Sequence, residues 1–111
     1  MANNFKNAGI AISNTRSTLY TCPANSQSVI HALFISNIND TINASVDIEI
    51  TIDGGTTYRY IGKKLPLPPQ STLILEKPIN LESNDVIALT SSSNGVLEVV
   101  ASILEVTPEI V

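Results

Sequence analysis

The sequence predicts an all-β protein, a two-sheet β-sandwich of jelly-roll type with about eight antiparallel strands. Three observations carry that expectation. β-Branched residues dominate the apolar set, with fifteen Ile and eight Val against one Met and no Trp; such side chains pack well on a pleated sheet and lose rotamer freedom in a helix. Turn-forming clusters recur at short, regular intervals, the signature of many short strands. No segment holds a convincing apolar stripe at the helical period. At 111 residues, 43% apolar and only 14% charged, the chain is bounded to one folded domain and does not have a disordered composition.

Taken in order, the expected strands are Ala8–Ile12, Ser17–Thr21, Ser28–Ser36, Ala44–Ile52, Thr57–Lys63, Thr72–Glu76, Asp85–Thr90 and Val96–Val106. Ser13-Asn14-Thr15 separates the first pair, and Cys22-Pro23-Ala24-Asn25-Ser26 the next. The clearest strand is the fourth. Val46, Ile48, Ile50 and Ile52 alternate with Asp47, Glu49 and Thr51, so one face is apolar and the other an acidic, solvated face. Asp53-Gly54-Gly55 follows, and glycine tolerates the positive φ a tight hairpin needs. A second hairpin is expected through Ser91-Ser92-Ser93-Asn94-Gly95. Residues 1–7 read as an N-terminal arm, 8–106 as the sandwich and 107–111 as a C-terminal tail.

Two strands break the half-buried pattern. Val29 to Ile35 and Val96 to Val106 are apolar on both faces. A sandwich without helices covers one face of each strand, so the other calls for a partner chain or the chain's own arm. The alternative is a long strand that bends to serve both sheets. Val29, Leu33 and Ile35 are therefore candidate interface residues. Phe5, Ile110 and Val111 are the apolar residues of the arms that would dock.

Little in the sequence points to chemistry. His31 is the single histidine and sits within an apolar run, where a core-edge or interface role is expected. One His and one Cys cannot build a four-ligand zinc site within one chain. Cys22 has no flanking Lys or Arg to activate it and reads as a buried structural thiol. Asp47, Glu49 and Asp53 lack the spacing of a calcium loop. No catalytic residue, metal or cofactor is expected. A net charge of −4 with six basic residues argues against nucleic acid as the ligand. No run is long enough to cross a bilayer, and no apolar region follows Met1 as in a secretory signal, so synthesis in the cytoplasm is expected. Tyr58 and Tyr60 alternate on one strand and project to one face, suited to a sheet rim, an interface or a sugar-stacking platform.

The order and spacing of several segments carry a resemblance. They are Phe5-Lys6-Asn7-Ala8, Thr18-Leu19-Tyr20-Thr21-Cys22-Pro23, a long apolar strand ending Ser36-Asn37-Ile38, Leu81-Glu82-Ser83-Asn84-Asp85-Val86-Ile87, and a closing strand ending Leu104-Glu105-Val106. Across most of its length the chain resembles short virion structural proteins of tailed bacteriophages, especially those of cyanobacteria. The Pro66-Leu67-Pro68-Pro69 segment departs from that pattern. The resemblance implies a non-enzymatic capsid decoration (cement) protein located in the virion. It would bind the major capsid protein or other virion proteins as a homo-oligomer, a trimer or dimer. The alternatives are a tail, neck or fibre-associated component and a carbohydrate-binding sandwich module.

Overall fold

A computed structural model describes residues 2–108. Within them the chain forms nine strands: β1 (Ala2–Ile12), β2 (Ser17–Thr21), β3 (Gln27–Asn37), β4 (Ala44–Thr51), β5 (Tyr58–Leu67), β6 (Thr72–Leu75), β7 (Ile79–Leu81), β8 (Val86–Ser91) and β9 (Leu97–Thr107). They pair antiparallel into two sheets. One runs β1-β9-β3-β6, with β7 also on β3, and the other runs β2-β8-β4-β5.

The pairings are nested: β4 with β5, β3 with β6 and β7, β2 with β8, and β1 with β9. The chain is thus one long hairpin, rolled so that successive pairs alternate between sheets. The pairs β3–β9 and β4–β8 close the roll. This is the jelly roll expected from the sequence. The core between the sheets holds Ile30, Leu33 and Ile35 of β3, Val46 and Ile48 of β4, Ile87 and Leu89 of β8, and Leu97, Val99, Ala101 and Ile103 of β9, all essentially without solvent contact.

The structure departs from the expected elements at five places. Residues 2–7, expected as an arm, are strand: the β1–β9 register is unbroken from Ala2↔Thr107 to Ile12↔Leu97. Backbone pairing needs no apolar alternation, and there is none here to read. Strand β7 was not foreseen, because three residues behind Pro78 give no period. The segment around Ser91-Gly95 makes no hairpin, since β8 and β9 lie in different sheets. It crosses the end of the sandwich instead, with Ser91 and Ser92 donating their backbone N–H groups to Ser13 and Ser45 carbonyls. Strand β5 runs on through Pro66, which an edge strand tolerates.

The fifth departure explains the strand that reads as apolar on both faces. The β3–β9 register shifts between Ile30↔Ile103 and Ala32↔Ser102, so His31 and Ala32 together face one residue. That is a β-bulge, and it switches which parity points inward. Ser28 and Ile30 are buried before it, and Leu33, Ile35 and Asn37 after it. Hence Leu33 and Ile35 belong to the chain's own core, and neither side chain is available to a partner. His31, expected at a core edge or an interface, is exposed on the bulge.

Two buried polar side chains tie the loops to this frame. Asn37 donates to the carbonyls of Ile42 and Leu67 and accepts the N–H of Asn39. Asp85 accepts the N–H of Gly54 at 2.9 Å and of Glu82 at 3.0 Å, pinning the β4–β5 hairpin to the turn before β8.

Candidate functional site

The five-strand sheet leaves one face open to solvent, and that face is partly apolar. Register fixes which side chains stand beside one another. Gly9 lies opposite Val100, Val100 opposite Phe34, and Phe34 opposite Ile74. These side chains form a row across β1, β9, β3 and β6. Val100 is 49% exposed, Phe34 38% and Ile74 47%, each well short of burial. A second row runs Phe5, Leu104, Val29 and Asn80 across β1, β9, β3 and β7. Phe5, at 81% exposure, is the most exposed of the large apolar side chains described. Val29 and Leu104 are half-buried. Between the rows lie Asn7, Ser102 and the bulged His31, around a shallow hollow of about 210 Å³. Both rows expose apolar surface of the kind that a partner contact would cover.

The opposite face of the molecule is polar and better covered than the sequence suggested. Glu49, expected on a solvated acidic face, is buried. Arg16, from the β1–β2 turn, reaches across the outside of β4 and donates from Nε at 3.2 Å and Nη2 at 2.9 Å to the two carboxylate oxygens. The same guanidinium lies 3.8 Å from the centroid of the Tyr58 ring. The fork and the stack hold Arg16 in place together. Asp47 accepts the backbone N–H of Lys64 at 2.7 Å, where β5 bulges and Lys64 takes a φ of 52°. Replacing Arg16 with Ala leaves a buried carboxylate without its countercharge and is expected to lower the melting temperature. Arg16→Lys should recover only part of the loss, because an ammonium cannot fork. Thermal unfolding of the three proteins checks this, and an Arg16→Ala protein that melts with wild type would refute it.

Tyr58 and Tyr60 both lie on this outer face, but Arg16 occupies one side of the Tyr58 ring. Tyr60 is exposed, with Lys63 Nζ 5.1 Å from its ring centroid. The two rings do not present a pair of open faces. Ile110 and Val111 lie outside the described residues.

At one end of the sandwich a polar network joins the sheets. Tyr20 of β2 donates its hydroxyl to Glu105 of β9 at 2.5 Å, and Lys6 of β1 sits 3.0 Å from the same carboxylate oxygen. Ser28 Oγ lies 2.8 Å from Tyr20 Oη and donates to Cys22 Sγ at 3.2 Å. Burial pushes the Tyr20 phenol far above its usual value, and the Glu105 carboxylate adds to the shift. Burial also raises the Cys22 thiol, which keeps it protonated. Burial acts on Glu105 in the opposite sense to its partners. The hydrogen bond from Tyr20 and the Lys6 ammonium outweigh it and leave the carboxyl below its usual range. Neither Cys22 nor this network was foreseen as an inter-sheet tie, because its members are spread from Lys6 to Glu105. Among the described residues no three His, Cys, Asp or Glu side chains come together as a metal site.

No protein-family model matches the sequence, and no curated protein matches it. Solved structures do match. All of this chain superposes on 92% of a chain in the acidic stable capsid structure of Helicobacter pylori bacteriophage KHP30, with a TM-score of 0.57 at 14% identity. The fold is shared with a chain of a phage capsid. Weaker matches cover 28% and 31% of chains in structures of infectious bursal disease virus, Gx and Gt strains. Their TM-scores are 0.48 and 0.44, at 13% and 12% identity. At these identities the likeness concerns the fold.

Proposed function

We propose that this chain is a non-enzymatic structural protein of a virus particle, a decoration (cement) protein that binds and stabilises a phage head shell as a symmetric oligomer. The observation that carries the reading is the match of the whole jelly roll, end to end, to a chain of a phage capsid. The open face of the five-strand sheet supports it, because it offers Phe5, Val29, Phe34, Ile74, Val100 and Leu104 to a partner. The mechanism is burial. Each apolar side chain transferred from water contributes in proportion to its area. A copy that touches several capsid subunits gains retention by multivalency beyond what any single contact gives. The chain would then be located in the virion, with the major capsid protein or another virion protein as its partner.

Quantitative mass spectrometry of purified particles tests this. The expected result is one copy per major capsid subunit, or a simple fraction such as a third. A handful to a few dozen copies would move the protein to the tail, neck or fibres. Absence from the particle would overturn the virion reading.

A further inference from the structure

We infer that β1 is a self-pairing edge: two copies of this chain join antiparallel along β1 about a twofold axis at Asn7, with Phe5 of each lying over Gly9 of the other. The sheet edges differ in how well they are protected. An unprotected edge strand is a template for another strand, and proteins block such edges with short strands, bulges, prolines or charges. Strand β2 has five residues and a register break between Thr18 and Tyr20. Strand β5 has two register breaks, Lys63, Lys64 and Pro66. Strands β6 and β7 have four and three residues and are parted by Pro78. By contrast, β1 is eleven residues long, keeps one register throughout, and contains no proline. Its one charge, Lys6, is neutralised within the chain by Glu105 at 3.0 Å.

The partner is another copy because β1 complements itself. The open face of β1 carries a knob and a hole. Phe5 stands 81% exposed, while a hollow of about 300 Å³ lies beside Gly9, lined by Ile10, Ala11, Glu98, Val99 and Val100. The two share a face, since Phe5 and Gly9 are separated by an even number of residues. A twofold at Asn7 sets residues whose numbers sum to fourteen opposite one another. Phe5 then meets Gly9 of the second copy, Asn3 meets Ala11, and Lys6 meets Ala8. A C2 contact of this kind repeats itself, so both holes are filled at once. An aromatic ring laid over a cross-strand glycine also supplies the side-chain packing that glycine lacks.

The pairing also continues the apolar rows from one copy into the next. The row Ile74, Phe34, Val100, Gly9 ends at β1 on Gly9, and the row Val29, Leu104, Phe5 ends there on Phe5. The twofold at Asn7 aligns the end of the first row with the end of the second row in the other copy. Two interrupted stripes become continuous apolar bands across the joined sheet, facing the side assigned above to the shell. Eleven residues is fewer than the roughly 20–30 per side of a standard interface, so a micromolar dimer is expected. The inference gives the symmetric oligomer of the proposed function its contact, but it does not depend on a place in the particle.

The test uses the full chain. Sedimentation from nanomolar to high micromolar concentration should show a monomer–dimer equilibrium. Phe5→Ala, at an exposed position, should fold normally by circular dichroism and weaken association about a hundredfold, because two rings lose their burial. Under mild oxidation, Asn7→Cys should form a disulfide-linked dimer, because its twofold mate falls within bridging distance. Asn3→Cys, whose mate lies far along the paired strand, should not. A wild-type chain that stays monomeric throughout, a dimer indifferent to Phe5→Ala, or equal cross-linking at Asn3 and Asn7 would each overturn the inference. A monomer found at full copy number in particles would overturn this pairing while leaving the virion role standing.

Discussion

Leu33→Ala should lower the unfolding free energy by about 3 kcal/mol, whereas Phe34→Ala, one residue along β3, should cost less than about 1 kcal/mol. The two side chains are of similar apolarity, and strict alternation from Val29 puts Leu33 outward and Phe34 inward. The bulge at His31 reverses that. It turns Leu33 inward, opposite Leu75 and Ala101 and wholly without solvent contact. Truncating it leaves a cavity in a core that cannot collapse around it, and cavity and transfer terms add. Phe34 stands outward between Val100 and Ile74, where much of its ring is already wet. The binding effects should be reversed. Phe34→Ala should reduce attachment to shells stripped of this protein, and Leu33→Ala should leave attachment of its folded fraction unchanged. Equilibrium urea unfolding and co-sedimentation read the two quantities separately. Equal stability losses at both positions would mean that the bulge does not set the phase of β3.

The same bulge marks where the sequence stops being legible. A strand with both faces apolar has two physical origins: a second apolar face outside the core, or a change of phase within the strand. Strand β9 is the first kind. Leu97, Val99, Ala101 and Ile103 point inward, while Val100 and Leu104 point outward in unbroken alternation. Strand β3 is the second kind before and after His31. Only β9's side chains and Val29 and Phe34 of β3 then remain as outer-face candidates, and Leu33 and Ile35 leave the set. Periodicity alone cannot distinguish these cases, because a bulge is a property of a pair of strands.

Local pattern did place most of the frame. Strand β2 is found at Ser17–Thr21 as expected, and β4 differs from expectation by one residue at its end. The paired glycines after Asp53 adopt φ of 80° and 101°, as the hairpin reading required. What was lost depends on contacts between distant residues. Glu49 looked solvated because Arg16, which covers it, is thirty-three positions away. The N-terminal strand looked like an arm because Asn3, Asn4 and Asn7 carry no apolar period, and its strand character comes from the register with β9. Fold class follows from short-range pattern, whereas the open face could be drawn only once the ladder pairings were known.

Tyr20→Phe should cost about 2 kcal/mol near neutral pH, and the gap from wild type should narrow in strong alkali. The hydroxyl bonds a carboxylate, and such charge-assisted bonds are worth more than neutral ones. Its removal leaves Glu105, buried at the end of the sandwich, with Lys6 alone. Burial and the nearby Glu105 carboxylate raise the phenol of the folded protein well above the unfolded value of about 10. A raised pKa means the folded state holds the proton more tightly. The stabilisation is therefore complete below about pH 10 and is lost as pH rises towards the folded value. Phe carries no proton there, so the variant has no such alkaline loss. The acid side works the other way. Glu105 is held below its usual value, so its contribution is present above about pH 4.3 and falls as pH drops through the lowered folded pKa. Glu105→Gln should remove that acid limb while keeping the side chain's length. Denaturant unfolding across the pH range measures both limbs. A Tyr20→Phe deficit that stays constant above about pH 10 would show that the phenol proton is not what joins β2 to β9.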